Sequence, residues 1–223
     1  MAIGFVRPAR PDDASGIARI QLSTWRTAYR RLLPRHVLDE LDEDWMAGQW
    51  ARAIGEPPSD RHRVLVAVEQ AEQQHLVGFL ASGPADEEAL SPEEGAATGD
   101  PDRPAFAPGV VAVTDLLVEP RWGRRGHGSR LLAAGVAHWY ADGFDTALAW
   151  AYQDDAATWK FLTSAGWAPD GAVRALDVDD RLIPQVRLHV SVSEPPPAGE
   201  AAAGEESAEQ LADADGEPGP ADH

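Results

Sequence analysis

Residues 121–132 read RWGRRGHGSRLL, three glycines and four arginines within twelve positions. Bare main chain beside guanidinium charge is the combination that receives a phosphate. Gly126 and Gly128 carry no Cβ, so an anion can approach the backbone closely. Arg124, Arg125 and Arg130 add positive charge, and Ser129 can donate a hydroxyl hydrogen bond. Leu131, Leu132, Val136, Trp139 and Tyr140 follow at helical spacing until Asp142-Gly143, which places the glycines at a helix start. There the first N–H groups lack intrahelical partners and the macrodipole is positive, so phosphates bind readily. Glycines alone would fit an ordinary turn and helix cap equally well. The flanking arginines and the apolar strand just before them favour the phosphate. Two common nucleotide motifs do not fit: a Walker loop needs a lysine, and the only lysine is Lys160. A dinucleotide fingerprint needs a third glycine, where Arg130 and Leu131 stand.

The elements that must position this turn follow from periodicity. Val110–Val118, VVAVTDLLV, is a near-continuous apolar run, the pattern of a central strand covered on both faces. Thr146–Ala151 is a second buried strand beyond the helix, so the centre reads strand-helix-strand. Earlier, Ile3–Arg7 is a strand, and Asp12 or Asp13 can cap a helix reaching about Tyr29. Pro34 suits the first turn of a second helix, and Trp45, Met46 and Trp50 mark a third. Val64–Val68 and Leu76–Ala81, separated by a polar turn, form a hairpin. Ala156–Ala165 is a short helix ending at Gly166, and strands near Val173–Val178 and Gln185–Val192 close the domain. The fold class is α/β (α+β), a single domain over residues 1–193 with a mostly antiparallel sheet.

Two segments stand apart. Residues 84–109 are rich in Pro, Gly and Glu and far exceed an ordinary connection, so they read as a flexible insertion between strands, either a solvated loop or a lid. Residues 194–223 hold nine carboxylates, no Lys or Arg and one large aliphatic, Leu211. Such a composition cannot offset its ordering entropy by burial and reads as a disordered acidic tail. The whole chain of 223 residues carries −18, and removing those nine charges leaves about −9. An acidic surface argues against nucleic acid as a partner. No apolar run approaches membrane-spanning length, no signal peptide is recognisable, and there is no cysteine. These features point to the cytoplasm, exclude thiolate chemistry, and are compatible with a homodimer. No His and carboxylate cluster has metal-ligand spacing, so no metal is expected. The Ala, Arg, Asp and Pro bias resembles GC-rich bacterial coding.

With both nucleotide motifs set aside, Gly123-Arg124-Arg125-Gly126-His127-Gly128 resembles the acyl-CoA motif of the GNAT superfamily of N-acetyltransferases, [QR]-x-x-G-x-[GA]. Only the first position departs, Gly123 standing where Gln or Arg is usual. The lead-in LLVEP, the helix opening GSRLL, the downstream DDAATWKFLTSAGWAPDG and the upstream STWRTAYRRLLPRHVLDEL are also similar to the family, so the resemblance covers roughly residues 3–192. It implies a splayed central sheet whose two parallel strands part to admit pantetheine. Carried over residue by residue, Leu116, Leu117 and Val118 would contact pantetheine. Arg124, Arg125, Gly126, His127, Gly128 and Ser129 would hold the pyrophosphate of acetyl-CoA, the main chain doing most of this and the His127 ring pointing away. Asp155 stands where the family often has an Asn on the cofactor arm.

The chemistry implied is acetyl transfer to an amine. The amine must lose a proton, the thioester oxygen needs a hydrogen bond, and the departing thiolate gains from protonation. The resemblance gives the second task to a backbone N–H near Val118. Its usual tyrosine acid aligns with Leu162, which has no proton to give. Tyr152, just past the TALAWA strand, is the substitute, or else a packed rim aromatic. Asp115 is an odd carboxylate inside an apolar run; it is either the base or a hydrogen-bonded structural aspartate. Glu119 reads as solvated. Trp25 and Tyr29 lie on the first helix, where the family's acceptor pocket forms, and either touch the acceptor or pack the core. A catalytically inactive acyl-CoA-binding module, and an interaction protein acting through the acidic tail, are the alternatives.

Overall fold

A computed structural model describes residues 3–70, 73–90 and 109–194. The acidic tail beyond Glu194 and most of the insertion, residues 91–108, lie outside the described residues. A compact unit spans Met1–Ser193. Its strands are β1 (Ile3–Pro8), β2 (Arg63–Gln70), β3 (Gln74–Pro84), β4 (Val110–Val118), β5 (Thr146–Tyr152), β6 (Ala168–Val178) and β7 (Arg181–Ser191). They form one sheet in the order β1-β2-β3-β4-β5-β7-β6. Only β4 and β5 run parallel; every other neighbouring pair is antiparallel. The helices are α1 (Ala14–Ala28), α2 (Arg35–Asp39), α3 (Glu43–Gly55), α4 (Glu87–Leu90), α5 (His127–Ala141) and α6 (Ala156–Ser164). No helix among the described residues is long and apolar enough to cross a membrane.

Each face of the sheet has its own core. Leu131 and Trp139 of α5 and Leu162 of α6 pack with Leu65, Val77, Leu80 and Val111 on one face. Ile17 and Ile20 of α1 pack on Val66, Phe79 and Leu117 on the other. The parallel β4-α5-β5 unit, the expected strand-helix-strand centre, puts α5 across β1–β4, so the α5 N-terminus stands at the end of β4. The α5 C-terminus is fixed by Asp142, whose carboxylate accepts two hydrogen bonds from Arg63 at 2.6 and 2.7 Å.

Three local expectations are revised. Asp13 does not cap α1 with its side chain. Its carboxylate accepts instead from Arg7 at 2.6 and 2.9 Å and from the Arg10 N–H at 2.7 Å, a charged pair outcompeting a cap. The start of the insertion is ordered: Ala85, Ala89 and Leu90 pack on Val110, Ala112 and Leu148. Trp150 Nε1–H donates to the Ala89 carbonyl at 3.0 Å, and Arg187, paired with buried Asp170 at 2.6 Å, donates to the Leu90 carbonyl. Glu119 is not solvated; its side chain is largely buried and pairs with Arg121 at 2.9 Å.

β4 holds its neighbours unequally. Val110–Val113 are buried, whereas Thr114 is exposed and Asp115 and Leu116 are only partly covered. On its β3 side the strand is tight: a Cβ at Gly78 would come within 2.7 Å of the Leu117 carbonyl oxygen. Gly78→Ala is therefore expected to lower Tm by roughly 3–10 °C, read by calorimetry, because the main chain it meets cannot rotate aside.

Candidate functional site

The β4–β5 ladder stops early. Its partners are Val110↔Thr146 through Val113↔Ala149, and none follow. Beyond that point β4 stays on β3 alone. A bulge there opposes Ala81 to Asp115 and Ser82 to Val113, leaving Thr114 as the extra residue. Glu119 N–H donates to the Val77 carbonyl at 2.8 Å. By the two-residue alternation of an antiparallel pair, Asp115 and Leu117 also direct their main chain at β3. Leu116 and Val118 then turn their N–H and C=O groups into the gap, where backbone polar groups require a partner. Their side chains pack toward the α5 face, while Leu117 goes to the α1 core.

The gap is the middle of a continuous cleft. Its inner part, about 820 Å³ and partly open to solvent, is lined by Asp115, Tyr152, Trp25, Tyr29, Asp155 and Leu162 among others. Its outer part, about 1120 Å³, is lined by Arg124, Gly126, His127, Gly128, Ser129 and Val118 among others. Leu116, Thr158 and Phe161 border both parts.

At the outer end two residues bend the chain through the left-handed region, Arg124 (φ 60°) and Gly126 (φ 76°). The conformation is natural for Gly126 and uncommon for arginine. Gly126 is the N-cap of α5, and no side chain caps the helix. The first-turn N–H groups, from His127, Gly128 and Ser129, therefore remain for a ligand in the outer cleft. Gly128 is close-packed too: a Cβ there would lie 3.3 Å from the Phe161 ring, which would have to give by a few tenths of an ångström. The His127 ring is buried, turned from the cleft, with Nε2 3.1 Å from Glu69 Oε2. The contact is within ion-pair distance but lacks hydrogen-bond geometry. Burial lowers the His127 pKa, outweighing the opposing charge of Glu69. The Arg125 guanidinium lies 4.9 Å from the Trp122 ring centroid and 3.9 Å from Glu69, a neighbouring π face and carboxylate.

On the α1 face of the inner cleft, Asp115 and Tyr152 come together. Burial pushes the Asp115 carboxyl up to about 6, opposed by hydrogen bonds from Thr114 and Gln21. Burial also raises the Tyr152 hydroxyl, and the negative charge of Asp115 raises it further. Tyr29 packs edge-on against Tyr152, ring centroids 5.1 Å apart, and Trp25 packs in the same cluster with Leu33 and Ile183. Leu162 is buried in the α5-side core. Asp155 caps α6, accepting from the Thr158 N–H at 3.1 Å and the Thr158 hydroxyl at 2.6 Å.

Sequence reasoning missed Gln21, Phe161 and Thr158. Gln21 had a signal: it is the amide on a helical face shared with Ile17, Thr24 and Trp25. Phe161 and Thr158 carried none beyond helical spacing.

Comparison with known proteins agrees with this geometry. Residues 20–167 match the family model for the acetyltransferase (GNAT) family. The curated "uncharacterized N-acetyltransferase YuaI" of Bacillus subtilis is 27% identical over 150 residues, 67% of this chain and 72% of that protein. YncA of Salmonella typhimurium, designated an acetyltransferase and solved with acetyl-CoA, is similar in structure with a TM-score of 0.57 at 18% identity, over 87% of this chain and 99% of its own. The PaiA N-acetyltransferase of Thermoplasma acidophilum, in complex with coenzyme A, gives 0.55 at 10% identity, over 85% and 99%.

The cradle is testable without an acceptor. Gly126→Ala has to hold a Cβ at φ 76° and Gly128→Val has to displace Phe161. Each is expected to weaken coenzyme A binding roughly 5–30-fold in isothermal titration; unchanged affinity in both would place the anion elsewhere.

Proposed function

The chain belongs to the GNAT acetyltransferase family, and on that premise we propose that it moves an acetyl group from acetyl-CoA to an amine by direct transfer within a ternary complex. The observation that carries this reading is the parted β4–β5 pair, which opens Leu116 and Val118 main chain to the same cleft that ends at the uncapped α5 N-terminus. The residues fit the cofactor: an extended arm can add to the free β4 edge as a strand adds to a sheet, and a diphosphate suits the first turn of α5. YncA with acetyl-CoA and PaiA with coenzyme A support the same donor.

Acetyl-CoA bound there supplies a thioester: the amine nitrogen forms the new N–C bond, the C–S bond breaks, and amide and thiol are the products. The protein moves the protons. A cationic acceptor gives its first proton to solvent as it binds, and Asp115 in its carboxylate form accepts the second proton from the nitrogen as the N–C bond forms. A carboxyl near 6 is both ionised at neutral pH and basic enough for that task. Tyr152, kept protonated by burial and by Asp115, donates to the departing sulfur in place of the proton-less Leu162. A gap-facing N–H of β4 donates to the thioester oxygen as charge develops. Trp25 and Tyr29 border the inner cleft on the side where the acceptor enters, and Asp155 holds the α6 end of the cofactor arm's channel. An amine carrying positive charge suits Asp115 and the surrounding aromatic rings. The second reading, a coenzyme A-binding module without turnover, is favoured by one observation, the buried Leu162.

Thiol release from acetyl-CoA over a panel of a polyamine, an aminoglycoside and a basic peptide separates the two. Turnover is expected, with kcat/KM rising as pH passes about 6 because only the ionised Asp115 accepts a proton. Asp115→Asn is expected to remove that limb and lower kcat/KM about 10²–10⁴-fold, and Tyr152→Phe to lower kcat about 10–100-fold. Coenzyme A binding without turnover across the panel would favour the module.

Asp115→Asn carries a stability signature as well. The folded-state carboxyl is raised, so the native state binds the proton more tightly, and stability is lost as pH rises through about 6. The variant is therefore expected to melt higher than the parent at pH 8, with the difference vanishing near pH 4.

A further inference from the structure

α1 presents a buried amide where its neighbours present aliphatic groups. Gln21 is 8% exposed and sits between the α1 core and β4. Trp50 Nε1–H, from α3, donates to Gln21 Oε1 at 2.8 Å. Gln21 Nε2 donates to Asp115 Oδ1 at 3.3 Å. The chain of three spans α3, α1 and β4.

Its direction is fixed by chemistry. An indole nitrogen only donates, so the Gln21 atom facing Trp50 must be the carbonyl oxygen. The amide NH₂ is thereby forced toward Asp115. Without Trp50 the amide could turn over and set an oxygen against the carboxylate. Trp50 is itself held by Phe79 of β3, ring centroids 5.0 Å apart and nearly perpendicular.

We propose that Gln21, with its amide oriented by Trp50, is a positioning residue for Asp115, holding the carboxylate ionised and aimed at the acceptor side of the cleft. This rests on the reading of Asp115 as the base. A hydrogen bond to the ionised form offsets part of the burial that opposes it. The titratable group whose pKa the Asp115 charge raises is Tyr152 on β5, on which Asp155 before α6 and Arg174 on β6 also act. The Thr114 hydroxyl is the neighbour of Asp115 on β4. Among the described residues, the Gln21 amide is the hydrogen-bond donor that reaches Asp115 from α1.

The test is the titration of the Asp115 carboxyl carbon by NMR in the full chain, assigned by its loss in Asp115→Asn. Gln21→Leu keeps the volume and removes the donor; its midpoint is expected to rise by about 0.5–1 pH unit. Trp50→Phe keeps the edge contact with Phe79 and is expected to give a smaller rise. The double variant should add nothing beyond Gln21→Leu, because Trp50 acts through Gln21. An unmoved midpoint in Gln21→Leu, or an additive double variant, overturns the proposal. If Gln21→Leu does not fold, Trp50→Phe decides alone: a rise supports the proposal and no change overturns it. An Asp115→Asn enzyme with full turnover would sink the base assignment, whatever the Gln21 result; loss in Asp115→Asn with an unmoved Gln21→Leu midpoint would sink the positioning role alone.

Discussion

The feature on which the rest depends is the failure of β4 and β5 to stay paired beyond Val113 and Ala149. Parallel strands that remained hydrogen-bonded along their length would leave no edge inside the sheet. Parting midway exposes main-chain donors and acceptors that neither strand can satisfy, in a place walled by apolar side chains. Two devices keep the gap from closing. The bulge at Thr114 adds a residue to β4 and twists it toward β3. On the far side β5 is held by β7 along its whole length, through Tyr152↔Gln185. Each strand has a stronger neighbour elsewhere, so the gap follows from pairing rather than from a missing side chain.

The bulge also decides which groups meet. In unbroken alternation Thr114 and Asp115 would point to opposite faces. Val111 and Val113, before the bulge, pack on the α5 side; the extra residue shifts the alternation, so Asp115 and Leu117 turn to the α1 face, where Asp115 meets Gln21 and Tyr152. One register shift thus connects the gap to the chemistry proposed for it. The outer cleft borders α5 and α6, while the Asp115 carboxylate and the Tyr152 phenol stand on the α1 side.

How much of this could be read in the sequence varies with the range of the cause. β4 was legible to its boundaries because nine residues of its own make the pattern. Its midway parting was not, because Leu116 and Val118 are as apolar as residues in a closed ladder, and pairing is decided by β3, β5 and β7. The glycine turn that opens α5 was legible, since glycine is a type whose reasons are local. The neighbours of the Arg125 guanidinium were not, because Trp122 and Glu69 belong to other elements. Asp13 shows the same limit: its spacing fits a cap, but Arg7 on β1 takes its carboxylate first. Gln21 is intermediate. A lone amide on a buried helical face calls for a partner, yet nothing local names Asp115, 94 residues away in the chain.

The position of the phenol carries a further consequence. An acid on α6 at the place of Leu162 would lie on the α5 face, apart from a base on the α1 face. Tyr152 lies on the same face as Asp115, near enough for one charge to raise the other's pKa. In the proposed reaction Asp115 ends a turnover protonated and Tyr152 ends it as phenolate. Those states are the reverse of what the next turnover needs, and a phenolate is far the stronger base. A proton passing from carboxyl to phenolate is therefore downhill and restores both groups without reaching bulk solvent. The drive comes from the difference between a carboxyl and a phenol and proximity supplies the path, so in that reading the two groups on one face would act as a single proton-handling pair.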